Sequence, residues 1–404
     1  MDKLRGGAAL ALLVGALAGV GNEARAEGAT FGALIPLTGG LQSYGEASLN
    51  GMKLAVKEIN AAGGVLGGDV KLVVGDTQTK AQAAIDAAQK LVSVEGACCI
   101  LGALSSGNTI PVATSVTSRG KVPQITNAST APTITTLDDG DFLFRTVPSD
   151  AGQGIVLGRL VKAQGTDKVA VVYVNNDYGQ GLAEAFQASF KKEGGTVTGA
   201  TAFEPNKASY RGELDGLAKG DAEALLVIAY PDDGGLLITR QALEEGLFDR
   251  FIFTDGMKTT ALIDQIGDQY MEGVYGTSPK AAASDASARF GDLYNAEYGQ
   301  LPPLPYIDTA YDAAMIMALA VDKAGSTDGT AIRDALREVA NAPGEKVGPG
   351  DFAKAKEMIA AGKDIDYDGA GGAEDFDAHG DVKGTFEHWA VKDGKLTTVD
   401  VVQD

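Results

Sequence analysis

The sequence predicts an α/β protein that consists of two doubly wound lobes. Short apolar segments alternate with segments of helical periodicity, and this alternation starts again after Pro148. The chain has 404 residues, which is too long for one compact core. Short apolar strands that alternate with amphipathic helices indicate parallel sheets covered by helices on both faces. Two such series therefore predict two lobes.

The first series begins with an apolar strand over residues 30–35. Residues 49–59 carry apolar side chains at helical spacing, and Gly63 and Gly64 end that helix. The same alternation then predicts, in order, a strand over 70–74, a helix over 85–92, a strand over 98–101, a helix from about Ser106 and a strand over 122–125.

The second series begins with a continuous apolar strand over residues 168–174. A helix follows, on which Leu182, Phe186 and Phe190 recur every four residues, and the next strands cover 224–228 and 251–253. The last third differs, because it contains longer helices, of which 308–324 is the clearest. Asp393-Gly394 between two apolar segments, 389–391 and 396–402, predicts a β-hairpin.

The N-terminus predicts a signal peptide over residues 1–26. Lys3 and Arg5 precede an apolar stretch over 6–20, and Ala24-Arg25-Ala26 is a cleavage motif of the A-x-A type. Cleavage after Ala26 would release residues 27–404 as an exported protein. The apolar stretch is short for a membrane span, so an uncleaved anchor is the weaker alternative. No cysteine stands at the cleavage point, which argues against a lipid anchor.

The formal net charge of −20 argues against anionic binding partners. Nucleic acids and anionic membrane surfaces attract basic proteins and repel acidic ones. We therefore expect neither of them as a partner.

Cysteine is scarce, and its two residues are adjacent. Cys98 and Cys99 lie in an apolar segment, where they are expected to be small buried residues. A vicinal disulfide is the alternative in an oxidising compartment. Two thiols alone do not make a structural zinc site, which requires four ligands.

The chemistry of an enzyme is largely missing from the sequence. The two histidines, His379 and His388, do not have metal-ligand spacing, and neither a Gly-x-Ser-x-Gly motif nor a P-loop occurs. Residues 178–181 supply only two glycines of a dinucleotide-binding motif. We expect no enzymatic activity and no cofactor; an exported enzyme is the least favoured alternative.

Polar loops follow four of the predicted strands, over residues 36–45, 102–107, 126–130 and 175–179. Ligands of open α/β sheets bind beyond the carboxyl ends of the strands. Hydroxyl and free N–H groups in such loops favour an anionic ligand group. Helix capping is the alternative role for Ser106 and Thr130. Asp255 follows a further strand, and its alternative role is that of a turn residue.

Residues 364–375 contain an acidic pattern that resembles a calcium-binding loop. Asp364, Asp366, Asp368, Gly369 and Asp375 occupy the spacing of such a loop, but the last position is normally Glu. No amphipathic helix clearly follows. The sequence leaves calcium binding open and favours a plain connection without a metal.

At these loops the chain resembles the bacterial periplasmic binding proteins for branched-chain amino acids, the leucine/isoleucine/valine-binding type. The resemblance extends from about residue 30 to 402. The motifs that carry it, in order, are Pro36-Leu37-Thr38-Gly39 with Tyr44-Gly45, residues 60–64, 102–106, 178–181, Thr254-Asp255-Gly256, Ala310-Tyr311-Asp312-Ala313, and 376–381 followed by Lys383-Gly384.

The resemblance implies the type I periplasmic binding protein fold. Two lobes would be joined by a hinge of three crossovers and would close on the ligand. The expected lobe I comprises residues 27–147 with 279–345, and the expected lobe II comprises residues 148–278 with 346–404. Members of this family are mostly monomers, and they deliver a small amino acid to the permease subunits of an ABC importer in the inner membrane.

The resemblance also implies which residues hold the two charged groups of an amino acid. Ser106 and Thr130, with backbone groups near Ala128 and with Ser105 beside them, would bind the α-carboxylate. These positions all lie in the loops of lobe I. The ligand would thus be anchored to lobe I by hydrogen-bond donors.

The α-ammonium would bind to lobe II, at Asp255 and Tyr178, while Tyr44 would cover the apolar part of the ligand. Ala229 precedes Tyr230, where leucine- and valine-binding members often have an aromatic residue, so that side of the pocket is expected to be more open. The exact ligand therefore stays open among amino acids, amides and small carboxylates. A ligand sensor of the same fold is the alternative to an importer component.

Overall fold

The computed structural model describes residues 27–404. The predicted signal peptide and its cleavage site after Ala26 lie outside the described residues. Within the described part of the chain, no helix has the length and apolar character needed to cross a membrane.

Lobe I has a parallel sheet of five strands in the order β2-β1-β3-β4-β5. Its strands are β1 Glu27–Ile35, β2 Asp69–Asp76, β3 Cys99–Gly102, β4 Gln124–Thr126 and β5 Leu143–Arg145. The helices between them are α1 Gln42–Ala61, α2 Ala81–Ser93, α3 Ser106–Val112 and α4 Ser118–Gly120. Each strand that the sequence predicts in this part of the chain is present, with bounds that differ by a few residues.

Lobe II has a sheet of seven strands in the order β14-β13-β10-β9-β8-β6-β7, of which β13 is Thr385–Lys392 and β14 is Lys395–Gln403. Its first strands, which are parallel, are β6 Lys168–Val174, β7 Thr196–Phe203, β8 Ala224–Ile228, β9 Phe251–Phe253 and β10 Tyr275–Pro279. Its helices are α5 Asp150–Ala163, α6 Asp177–Lys192, α7 Arg211–Ala218, α8 Leu236–Glu244, α9 Ala261–Ile266 and α10 Asp268–Met271. The predicted bounds of β6, β8 and β9 are confirmed because these buried strands are continuous apolar runs.

After β10 the chain returns to lobe I. The elements there are α11 Asp285–Tyr298, α12 Ile307–Ala324, α13 Gly329–Ala340, β11 Glu345–Val347, α14 Phe352–Ala360 and β12 Ile365–Tyr367. Almost all of α12 is buried, as expected for a helix that is apolar on every side. Strands β11 and β12 form a separate parallel pair.

The structure corrects the predicted lobe boundary after residue 345. Val347, Phe352, Ile365 and Val382 are buried in the hydrophobic core of lobe I, not in that of lobe II. Their apolar side chains pack on the helices of lobe I, and only the C-terminal hairpin joins the sheet of lobe II. Residues 346–382 therefore belong to lobe I.

The chain passes between the lobes three times, as the resemblance implies. The first passage lies between Arg145 and Asp150, the second between Pro279 and Asp285, and the third between Val382 and Thr385. These three connections form the hinge. The lobes are closed on each other, since Leu41, Tyr44 and Leu104 of lobe I are buried in the hydrophobic cluster of lobe II.

The cysteines are free and lie at the start of β3. Cys99 is buried, Cys98 is half-buried, and their Sγ atoms are 3.9 Å apart. The structure therefore contains no vicinal disulfide. Burial raises the pKa of the Cys99 thiol, which favours its neutral form.

The C-terminal hairpin confirms the turn that the sequence predicts. Strands β13 Thr385–Lys392 and β14 Lys395–Gln403 are antiparallel and are joined by Asp393 and Gly394. Both turn residues have positive φ, 51° and 67°, as a type I′ turn requires. This pair of strands forms the edge of the lobe II sheet.

We expect Gly394→Ala to lower the free energy of unfolding by about 1 kcal/mol. The added Cβ has room, since its nearest neighbour would be a side-chain atom of Asp268 at 3.9 Å. The cost therefore comes from the positive φ alone. Urea unfolding measures it, and an unchanged midpoint would contradict the assigned turn. Asp393→Gly is the matched control, with equal or higher stability expected.

Candidate functional site

A pocket lies between the two closed lobes. Both lobes contribute side chains to its wall. The lining residues are Leu41, Tyr44, Leu104, Ser105, Ser106, Ala128, Tyr178, Tyr230, Asp255, Gly256 and Tyr306. Seven of the nine residues that the sequence predicts for the site are in this set.

Asp255 supplies the negative charge of the pocket. It follows β9 as the first residue of a 3-10 turn and is 3% exposed. The Tyr306 hydroxyl donates to Oδ2 at 2.6 Å, and Gln153 Nε2 donates to Oδ1 at 2.8 Å. The Tyr178 hydroxyl also donates to Oδ1, at 3.0 Å. All these donors are neutral, and within residues 27–404 no Lys, Arg or His forms an ion pair with this carboxylate.

Burial and hydrogen bonding act on Asp255 in opposite directions. Burial raises its pKa, while the hydrogen bonds from Tyr306, Gln153 and Tyr178 lower it. An ionised carboxylate in a closed, low-dielectric pocket attracts a cationic group strongly. The site thus favours a ligand with a positively charged nitrogen.

Tyrosine side chains form the wall around Asp255. The rings of Tyr178 and Tyr230 are stacked, with centroids 5.4 Å apart and an interplanar angle of 12°. The Tyr44 hydroxyl, from lobe I, lies 3.1 Å from each of the carbonyl oxygens of Gly256 and Lys258 in lobe II. Burial raises the pKa of Tyr44, so its hydroxyl stays a neutral donor that links the lobes.

Hydroxyl groups of lobe I face Asp255 across the pocket. The Ser106 Oγ atom accepts a hydrogen bond from the backbone N–H of Ala131 at 3.1 Å. Because that oxygen already accepts, the hydroxyl proton of Ser106 is left to be donated to a ligand. Ser106 is therefore not a helix cap, since its side chain bonds to a different loop.

Two predicted residues do not reach the pocket wall. The Thr130 hydroxyl is bonded to Asp150 Oδ2 at 2.8 Å, and the Asp150 N–H donates to the Thr130 carbonyl at the same distance. Ala229 is fully buried behind Gly256. A Cβ added to Gly256 would lie 2.5 Å from the carbonyl oxygen of Ala229. The next residue, Tyr230, lines the pocket instead.

Tyr306 and Gln153 are the site residues that sequence reasoning missed. Tyr306 lies in a left-handed conformation, φ 76°, between a proline-rich loop and α12. Gln153 lies one turn into α5 and is fully buried. The sequence offers one signal, which is a polar residue within an apolar helical face. That signal does not show which distant residue the polar side chain contacts.

The acidic pattern at 364–375 does not form a metal site. In residues 27–404 no three His, Cys, Asp or Glu side chains are grouped so that they could hold a metal ion. Asp366 lies in β12, Asp368 forms an ion pair with Lys346 at 3.2 Å, and Asp375 accepts from the Ala342 N–H at 3.0 Å. The carboxylates therefore serve separate structural contacts.

The family profile described as periplasmic binding protein matches residues 28–361. That match covers most of the chain. The chain belongs to the periplasmic binding protein family. Membership agrees with the two lobes and with the closed pocket between them.

Relatives of this periplasmic binding protein include the leucine-, isoleucine-, valine-, threonine-, and alanine-binding protein of Pseudomonas aeruginosa. The two are 30% identical over 304 residues, which cover 75% of this chain and 80% of that protein. A chemotactic signal transduction system substrate-binding protein of Halobacterium salinarum is 27% identical over 357 residues, 86% of this chain and 83% of that protein.

Solved structures support the same family. A leucine-binding protein from Thermotoga maritima superimposes with a TM-score of 0.78 at 26% identity. The match covers 93% of this chain and 99% of that chain. This periplasmic binding protein therefore shares its fold with that structure over nearly the full length of both chains.

Proposed function

We propose that this protein binds a small apolar amino acid between its lobes and delivers it to the permease of an ABC importer. The observation that carries the proposal is the buried Asp255, opposite the free hydroxyl proton of Ser106. Asp255 has three neutral donors and no ion-pair partner among residues 27–404. A zwitterion has the complementary groups. The names of the Pseudomonas and Thermotoga relatives support branched-chain amino acids as the ligand class.

The proposed contacts divide between the lobes. Asp255, with Tyr178 and Tyr306 beside it, would hold the α-ammonium of the ligand. Ser106, together with Ser105 and the backbone near Ala128, would hold its α-carboxylate.

The apolar side chain would lie among Tyr44, Tyr230, Leu41 and Leu104, which complete the pocket wall. Thr130 and Ala229 are left out of this contact set. Thr130 would instead stabilise the loop through its bond to Asp150.

The closed arrangement supports binding by closure of the lobes. Tyr306 of lobe I donates to Asp255 of lobe II, and Tyr44 donates in the same direction. A ligand that contacts both lobes stabilises the closed form, because it binds that form better than the open one.

The same proposal excludes catalysis as the main role. The ionisable side chains in the pocket wall are Asp255 and tyrosines, whose pKa values burial raises. No group there has the properties of a general base paired with a nucleophile. We propose that the protein is a monomer without a cofactor, located in the periplasm after cleavage behind Ala26.

A sensor is the second candidate function. The chemotactic relative of Halobacterium supports it, since the match covers 86% of this chain and 83% of that protein. Reconstitution distinguishes the two roles. An importer component stimulates transport by its permease in vesicles, whereas a sensor leaves transport unchanged and binds a membrane receptor.

A thermal-shift screen of residues 27–404 tests the ligand class. The probes are amino acids, amides and small carboxylates. Leucine, isoleucine or valine is expected to raise the melting temperature, because a ligand at 100 times its Kd stabilises the folded state by about 2.7 kcal/mol. The absence of a shift with every amino acid would contradict the proposal. A shift with amides alone would contradict the role of Asp255.

A further inference from the structure

A second pocket lies at the hinge. Residues from all three connections line it, including Pro148 from the first, Pro279 from the second and Gly384 from the third. The only residue that it shares with the ligand pocket is Tyr306. Its shape therefore depends on the angle between the lobes.

Glu374 lines this hinge pocket and lacks a partner for one of its oxygens. The residue is 1% exposed, and its Oε2 atom has no hydrogen-bond partner among the described residues. Burial raises the pKa of Glu374, and the nearby Asp312 carboxylate raises it further. A buried polar atom without a partner is rare in native proteins and indicates an unfilled contact.

The neighbours of Glu374 do not supply this contact. A Cβ at Gly371 would lie 3.3 Å from Glu374 Oε1 and 3.2 Å from Asp312 Oδ2, so the two carboxylates face the same point. Asp312 accepts hydrogen bonds from the Tyr367 hydroxyl and from two backbone N–H groups, and its carboxylate has no proton to donate to Glu374. Asp308, which is half-buried, adds a further negative charge to the wall of the hinge pocket.

Two lysines also line the hinge pocket. Lys280, whose side chain is 42% exposed, lies 3.4 Å from Glu387 in an ion pair. Lys383 is exposed and belongs to the third connection. The hinge pocket is thus lined by one buried acid, Glu374, one half-buried acid, Asp308, and two more exposed ammonium groups.

We propose that the hinge pocket binds a second small zwitterion, with its ammonium group at Glu374 and Asp308 and its carboxylate at Lys383 and Lys280. An ammonium group would supply the donor that Glu374 Oε2 lacks, and it would neutralise part of the acidic interior. Because the three connections form the wall, occupancy is coupled to closure of the lobes. The hinge site is argued independently of the cleft ligand, but its first test rests on the proposed function, because it uses the role of Asp255 to disable the cleft.

Calorimetry on the Asp255→Ala variant tests this site, because that variant disables the cleft. The probes are glycine, methylammonium chloride and sodium acetate. Glycine is expected to bind with a stoichiometry of one per chain. Methylammonium should bind more weakly, and acetate should not bind. No binding of glycine would overturn the proposal, and equal affinity for methylammonium would overturn the zwitterion as the ligand class.

Further substitutions on this background identify the residues. Glu374→Gln keeps the shape of the side chain and removes its charge, so glycine should bind about tenfold more weakly. Lys383→Ala, at an exposed position, should weaken glycine but not methylammonium. Glu193→Gln makes the same charge change at an exposed position of lobe II and should leave both affinities unchanged. Equal glycine affinity in Glu374→Gln would overturn the proposal.

Discussion

Asp255→Ala is expected to lower the affinity for the cleft amino acid by about 3–5 kcal/mol, the typical cost of removing one partner from a buried charge pair. That loss corresponds to a Kd increase of roughly two to almost four orders of magnitude. The α-ammonium would remain buried next to Tyr178 and Tyr306, which are neutral. Titration calorimetry with the best ligand from the screen measures the loss.

The same substitution should not unfold the protein. Burial raises the pKa of Asp255, so the ligand-free fold bears the cost of burying an uncompensated carboxylate. Asp255→Asn keeps the shape of the side chain without this cost. We expect the melting temperature of ligand-free Asp255→Asn to equal or exceed that of the unchanged protein, while the ligand-induced shift disappears.

Asp232→Asn is the matched control for this experiment. Asp232 is an exposed acid of lobe II and acts on the pKa of Tyr44, but it does not line the pocket. Its charge is screened by solvent, so its loss should change affinity by less than about 1 kcal/mol. A similar loss in both variants would mean that the general negative field of the cleft, not Asp255, holds the ligand.

The sequence predicts the architecture well where strands are buried on both faces. Strands β6, β8 and β9 are continuous apolar runs and have the predicted bounds. The segment after residue 345 was assigned to the wrong lobe. Its strands, β11 and β12, have three residues each, so periodicity does not show which core their side chains join.

The candidate site could be predicted from loops at strand ends, which is why Ser106, Tyr178 and Asp255 meet in one pocket. Tyr306 and Gln153 could not be found in this way. Each contacts Asp255 from an element that is distant in the chain, 51 and 102 residues away. Such partners depend on how the lobes close, which no local pattern encodes.

The second large effect concerns closure, not ligand contact. Gly40 of lobe I lies against Asp233 of lobe II, and a Cβ added to Gly40 would lie 2.1–2.3 Å from the Asp233 carboxyl atoms. Gly40→Ala should therefore strain the closed form by about 1–3 kcal/mol, as overpacking does. The apparent free energy of binding weakens by the same amount, because fewer molecules reach the binding-competent closed form.

The closure explanation predicts which properties stay constant. The open form has no such contact, so the ligand-free melting temperature of Gly40→Ala should not fall. Gly291→Ala is the control, since a Cβ there has nothing within 4 Å, and it should leave affinity unchanged.

The Asp233→Ala background provides the decisive comparison. Asp233 is 7% exposed and accepts from Asn206 at 3.3 Å, so it does not rotate away without losing that bond. With the carboxylate removed, Gly40→Ala has nothing left to contact and should no longer weaken binding. If the double variant still shows the loss of affinity, Gly40→Ala acts within lobe I and not through Asp233. The reason is that coupling between two residues disappears once either partner is removed. Full rescue would mean that the affinity for the amino acid is limited by how closely the two lobes approach at Gly40.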